Sequence, residues 1–144
     1  QCVKAISYTE VMASLKGGKT EQAKSLTTFF NACVAAVATF VDSVLPTFTS
    51  AVVNRAAAPK TLTITLSEGL DATVVPAASA FTLSQGGPVA AVSVVGNTVV
   101  LTSTTAFTAA AITVAYTQPG VNGVRDTSGN LLATFGAQAV TNNA

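Results

Sequence analysis

Two spacings of hydrophobic and polar positions divide the chain near residue 45. Before it, apolar residues recur every three or four positions, as on one face of a helix; beyond it they alternate, as on a strand with one buried side. In the first stretch Ser7-Tyr8-Thr9-Glu10 fits a capping box: the Ser7 hydroxyl accepts from the Glu10 amide and the Glu10 carboxylate reaches back. Val11, Met12 and Leu15 then share a face, and Gly17-Gly18 supplies a stop. A second helix starts at Thr20, with Glu21 favourable in its first turn. Its stripe of Ala23, Leu26, Phe30, Cys33, Val34, Val37 and Val41 spans about five turns. The pattern predicts a helical hairpin over residues 1–44.

From residue 45 the pattern predicts short strands. Lys60-Thr61-Leu62-Thr63-Ile64-Thr65-Leu66 alternates Thr with large aliphatics, the signature of a half-buried antiparallel strand, with Leu62, Ile64 and Leu66 facing inward. Val89–Val95 and residues 98–102 flank Gly96-Asn97, a hairpin signal with glycine first. Ile112-Thr113-Val114-Ala115-Tyr116 alternates again and stops before Gln118-Pro119-Gly120. Phe48–Asn54 and residues 80–84, 131–135 and 137–141 complete a set of seven or eight strands, spaced as in an immunoglobulin-like sandwich. The predicted fold is therefore mainly β: an immunoglobulin-like antiparallel β-sandwich over residues 45–144, preceded by an N-terminal helical hairpin.

Several segments, in order, resemble one family. Leu45-Pro46-Thr47-Phe48-Thr49-Ser50-Ala51-Val52-Val53-Asn54 is followed by Leu62-Thr63-Ile64-Thr65-Leu66-Ser67-Glu68-Gly69-Leu70-Asp71 and by Ala80-Phe81-Thr82-Leu83. Then come Val95-Gly96-Asn97-Thr98-Val99-Val100-Leu101-Thr102, Ile112-Thr113-Val114-Ala115-Tyr116-Thr117 and Asp126-Thr127-Ser128-Gly129-Asn130-Leu131-Leu132-Ala133-Thr134-Phe135. This succession resembles the SwmB-type repeat, an immunoglobulin-like module of long bacterial cell-surface proteins that also looks like modules in phage structural proteins. The resemblance covers about two-thirds of the chain and implies no catalytic residues. Residues 1–44 lie outside it.

Composition narrows the function. Charged residues are only 9% of the 144, and seven basic against six acidic side chains leave a net charge of +1. No field exists to attract nucleic acid. There is no His, which removes the usual general acid–base residue and every His-containing triad. Ser and Thr are plentiful, but no activating base or nucleophile elbow distinguishes one hydroxyl. Gly18-Lys19-Thr20 imitates the end of a phosphate-binding loop, yet Ala13 stands where that loop needs Gly. Lys4, Lys16, Lys19 and Lys24 read as a solvated helical face. Residues 25–41 are uncharged but contain Ser25, Thr27, Thr28, Asn31 and Thr39, too short and polar for a membrane span. The chain opens on Gln1 without an initiator Met, so either something upstream has been removed or it belongs to something longer.

Three carboxylates lie in or beside turns: Glu68, Asp71 and Asp126. Three oxygen donors could contribute to calcium, which takes six to eight, but their spacing is far from an EF-hand loop. Asp126 ahead of Thr127-Ser128-Gly129 more simply accepts a backbone amide two residues on, as an Asx-turn. No cofactor or metal is expected, and no enzyme activity. Cys2 and Cys33 face two alternatives. A hairpin turning near Gly18 sets position 2 opposite about position 34, which allows a bridge contributing roughly 3–4 kcal/mol; otherwise Cys33 is a buried free thiol and Cys2 an exposed one.

A helical hairpin with an apolar stripe cannot cover that stripe itself, and a sandwich closes its own core between two sheets. Leu26, Phe29, Phe30, Val34, Val37 and Val41 are therefore the expected assembly interface. The expected partners are sister chains, in a homo-oligomer, or a capsid or surface-lattice protein, with neither nucleic acid nor membrane. The expected function is a non-catalytic structural subunit of an extracellular assembly, a phage virion protein of head decoration or cement type. The alternative is a bacterial cell-surface adhesion repeat. Either places the protein in a virion or at the cell surface.

Overall fold

The described residues form seven strands, of which those over 61–66 and 112–116 alternate large apolar residues with Thr or Ala. The seven are β1 (Phe48–Asn54), β2 (Thr61–Leu66), β3 (Phe81–Leu83), β4 (Val89–Val95), β5 (Thr98–Ser103), β6 (Ile112–Tyr116) and β7 (Phe135–Asn143). The structure is a computed structural model that describes residues 42–144, of which Ser43–Ala144 forms a compact unit. Of the helical hairpin predicted over residues 1–44, residues 42–44 carry no regular secondary structure and the rest lies outside the described residues, as do the interface residues Leu26, Phe29, Phe30, Val34, Val37 and Val41 and the Cys2 and Cys33 pair.

The described unit is mainly β, with seven strands in the order β3-β6-β7-β1-β2-β5-β4. Two antiparallel groups make up this order. β1 pairs β2, β2 pairs β5 and β5 pairs β4, while β6 pairs both β3 and β7. The groups join through a parallel ladder that sets Val52, Val53 and Asn54 opposite Thr141, Asn142 and Asn143. That junction departs from the purely antiparallel expectation. β7 is long enough to serve both groups: its first part pairs β6 and its last three residues pair β1.

Both groups bury their apolar sides in one cluster. In β2, Leu62, Ile64 and Leu66 are almost wholly buried, and the intervening Thr61, Thr63 and Thr65 are half-buried. β-branched Thr suits that second side, packing its methyl while its hydroxyl stays wet. Val99 and Leu101 from β5, Phe81 from β3, and Ile112, Val114 and Tyr116 from β6 complete the centre. Leu83 packs partly buried against it. Tyr116 is the hub of an aromatic row, with ring centroids 5.1 Å from Phe81 and 5.8 Å from Phe135, and Phe48 lies 5.2 Å beyond Phe135. Each such burial contributes about 1.5–3 kcal/mol.

The β4–β5 hairpin follows the sequence reading. Gly96 takes φ +59°, the positive value a two-residue loop needs at its first central position, and Val95 pairs with Thr98 across it. One predicted strand is corrected. Residues 131–135 do not form a strand: Leu131 makes only an isolated bridge to Arg125, and the strand predicted over residues 137–141 is present within the longer β7, which begins at Phe135. The Leu132 amide is drawn instead to the Val124 carbonyl at 2.8 Å, closing a loop. The strand predicted over residues 80–84 shortens to Phe81–Leu83, after a 3-10 turn at Ala78–Ala80. It stops because the Ser84 hydroxyl accepts the Thr113 amide at 2.8 Å, occupying a donor that could otherwise extend the ladder.

Candidate functional site

Strand register decides which loops meet. Phe48 lies opposite Leu66, Thr65 opposite Thr98, and Tyr116 opposite both Phe81 and Phe135. The starts of β1, β3, β5 and β7 therefore share one end with the finishes of β2, β4 and β6. At this proximal end the β2–β3, β4–β5 and β6–β7 connections gather around residues 43–47, which lead into β1. Backbone hydrogen bonds tie them together. The Ser67 amide donates to the Thr47 carbonyl at 3.0 Å, Leu70 to Gly96 at 2.8 Å and Asp71 to Arg125 at 2.9 Å.

Two aspartates organise the longest of these loops. Asp126, only 2% exposed, accepts at Oδ1 from the Ser128 and Asn130 amides and at Oδ2 from the Asn130 side-chain amide, all at 2.8 Å. The Ser128 contact is the Asx-turn read from the sequence. Burial pushes the Asp126 carboxyl up, but the Asn130 side chain and the Asn130, Ser128 and Gly129 amides together outweigh it. The carboxyl is held below its ordinary value. Asp71 accepts from the Thr73 hydroxyl and amide, and its Oδ2 takes two N–H donors of Arg125, at 3.0 Å from Nε and 2.9 Å from the terminal nitrogen. The Thr73 bonds, then Arg125, hold the Asp71 carboxyl below the usual range against a smaller opposing effect of burial.

The three acids considered for calcium therefore separate. Glu68 and Asp126 bring carboxylate oxygens within 4.8 Å of each other, whereas Asp71 is committed to Arg125 and Thr73. Asp126 accepts three N–H donors from Ser128 and Asn130, so it organises its own loop by hydrogen bonds.

The proximal end is also where apolar side chains meet water. Among the described residues, the exposed large hydrophobics are Val44, Leu45, Val75, Val95, Val121 and Leu131. Val44 and Leu45 precede β1, Val75 lies between β2 and β3, Val95 ends β4, and Val121 and Leu131 lie between β6 and β7. Val121 is 77% exposed. The distal end, formed by the β1–β2, β3–β4 and β5–β6 connections, contributes none of them. Charge divides in the same way within the unit: Glu68, Asp71 and Asp126 are proximal with Arg125, while Arg55 and Lys60 are distal.

Side-chain amides close the distal end, a role the sequence did not reveal. Gln85 Oε1 accepts from the Thr108 amide and hydroxyl, and its Nε2 donates to the Ala110 carbonyl at 2.8 Å. Asn142 Nδ2 donates to the Thr108 and Ala110 carbonyls, and its Oδ1 accepts from Arg55. Local spacing carries no signal for such partners, which only the fold brings together.

No protein-family model matches the chain, and no curated protein or solved structure matches it. Among the described residues, no helix is long and apolar enough to cross a membrane.

Proposed function

We propose that this chain is a non-catalytic structural subunit of an extracellular assembly, a phage virion protein of the head decoration or cement kind. Residues 1–44 dock on a capsid or surface-lattice protein or on sister chains, through Leu26, Phe29, Phe30, Val34, Val37 and Val41, and the β unit is displayed. The observation that carries this reading is the gathering of exposed apolar side chains at the proximal end, where the chain enters from residue 42. Isolated exposed aliphatics are ordinary on any surface; their segregation to one end supports an interaction face there.

Within this reading the β unit is an immunoglobulin-like sandwich of the SwmB-type module. The grouping β1-β2-β5-β4 against β3-β6-β7 supports it, because constant-type immunoglobulin domains order their strands in that way. The absence of His from the sequence and the engagement of Asp71 and Asp126 in loop hydrogen bonds support a non-catalytic role.

Incorporation tests the proposal. The full chain is expected to co-sediment with the particle of its source, and a form comprising residues 45–144 to remain folded but stay in the supernatant. Normal incorporation of the shortened form, or a full chain that binds no particle component, overturns it. Flanking repeats beside a secretion signal in the gene would point to the cell-surface alternative.

A further inference from the structure

The two outer strands of the seven are unequal. β3 has three residues and follows directly on a 3-10 turn, so it offers little edge. β4 is the opposite edge and runs for seven residues, Val-Ala-Ala-Val-Ser-Val-Val, with no charge and no Pro. Natural sheets blunt long edges with Lys, Pro or short length because unpaired backbone groups recruit other strands. β4 carries none of these; its register shift lies at its start, between Val89 and Ala91, leaving residues 91–95 regular.

The hairpin fixes which backbone groups face outward. A two-residue loop makes Val95 and Thr98 a hydrogen-bonded pair, and pairs alternate along an antiparallel ladder. The amides and carbonyls of Ala91, Ser93 and Val95 are thus directed to β5, and those of Val92 and Val94 away from it. Among the described residues, no backbone bond from outside the sheet reaches Val92 or Val94.

We propose that this edge pairs with β4 of a second copy of the chain, antiparallel about a twofold axis at Ser93. In that register Val92 lies opposite Val94 of the second copy and exchanges both hydrogen bonds with it; the symmetric pair repeats this. Ser93 meets its own equivalent in a non-hydrogen-bonded pair, where Cα atoms approach to about 4.5 Å. Ala91 meets Val95, so a small residue accommodates the side chain that is 63% exposed in the single chain.

Charge and fit favour a second copy as the occupant. An edge without charge has nothing to select a charged peptide, and set against itself it opposes no like charges. The regular stretch 91–95 is centred on Ser93, so this register uses all of it. One strand pair of this length falls in the small class of interfaces, below about 1,200 Å², and the pairing is therefore concentration-dependent. The inference does not rest on the function proposed above, since it concerns the sheet edge and not residues 1–44.

Cross-linking tests it in the full chain. With Cys2→Ser and Cys33→Ser as background, Ser93→Cys is expected to give a disulfide-linked dimer on mild oxidation, since the paired Cα atoms fall within the reach of a disulfide, about 4.4–6.8 Å. Ala139→Cys, exposed on β7, is the control and should remain monomeric. In the otherwise unaltered chain, Ser93→Lys opposes two cations at the axis and should lower the weight-average mass in concentrated solution while leaving the circular dichroism unchanged. Cross-linking of Ser93→Cys no faster than the control, or a mass unaffected by Ser93→Lys, overturns the pairing.

Discussion

Asn130 holds both carboxylate oxygens of Asp126, its backbone amide donating to Oδ1 and its side-chain amide to Oδ2, each at 2.8 Å. The Asp126 amide in turn donates to the Asn130 carbonyl at 3.0 Å, so the two residues close the β6–β7 loop from both sides. The Asn130 donors to the carboxylate favour its ionised form. Asp126 and Asp71 are both held below the ordinary aspartate value. A carboxyl depressed in the folded state contributes stability that is complete above its unfolded value, about 3.9, and lost as pH falls through the folded one. The urea midpoint is expected to stay level from neutrality to about pH 5 and to fall below about pH 4. Asp126→Asn should lower the midpoint at pH 7 and flatten the acid limb, because Asn turns a donor toward Asn130. An unchanged midpoint between pH 6 and pH 3 contradicts this account.

The β2 register makes a paired prediction. Ile64 is 1% exposed and Thr63 is half-buried on the other side. Ile64→Ala removes buried methyl and methylene groups and should cost about 2–5 kcal/mol. Thr63→Ala should cost less than about 1 kcal/mol, the span of strand preference. Equal losses in chemical denaturation would place β2 in the other register.

The parts of the fold that could be read from the sequence were those decided locally. β2 and β6 alternate strictly, Gly96 supplies the one positive φ its loop needs, and Asp126 reaches an amide two residues away. What could not be read depends on distant partners. Leu131 and Leu132 look like the opening of a strand, yet the Val124 carbonyl takes the Leu132 amide into a loop. The parallel meeting of Val52 and Thr141 joins the first and last strands of the unit, and no local pattern encodes it. Likewise Arg125 reads as an ordinary loop cation until the β2–β3 connection brings Asp71 to it. The gathering of exposed Val and Leu at the proximal end emerges only when register places three connections together.

Tyr116 supplies a third prediction. Its ring is fully buried and its oxygen accepts the buried Val124 amide at 3.0 Å. Burial pushes the phenol pKa up, with the Val124 donor opposing, so the group stays neutral across the ordinary range. Tyr116→Phe preserves the ring contacts with Phe81 and Phe135 but leaves the amide unpaired, which should cost about 1–3 kcal/mol. Amide hydrogen exchange at Val124 should accelerate beyond what global destabilisation explains. A variant as stable as the parent would mean that the hydroxyl contributes nothing.

Two glycines separate backbone strain from steric conflict. Gly96 has φ +59°, and a Cβ built there meets no atom within 4 Å. Gly96→Ala should therefore cost only the left-handed conformation, roughly 1–2 kcal/mol. Gly86 has φ +89°, and its Cβ would stand 2.6 Å from Cε1 of Phe107. That ring is itself buried, and its residue is held by the Phe107 amide donating to the Pro59 carbonyl at 2.8 Å. The Gly86 carbonyl is fixed as well, accepting the Thr105 amide at 2.9 Å. The ring must therefore shift within a packed site, adding about 1–3 kcal/mol of overpacking to the backbone cost. Denaturation midpoints should rank the parent above Gly96→Ala, and Gly96→Ala above Gly86→Ala. Phe107→Leu combined with Gly86→Ala should recover part of the second loss, because the shorter side chain vacates the space the new methyl needs. If the two alanine variants are equally stable, Phe107 does not confine Gly86 and the distal loops are looser than this packing implies.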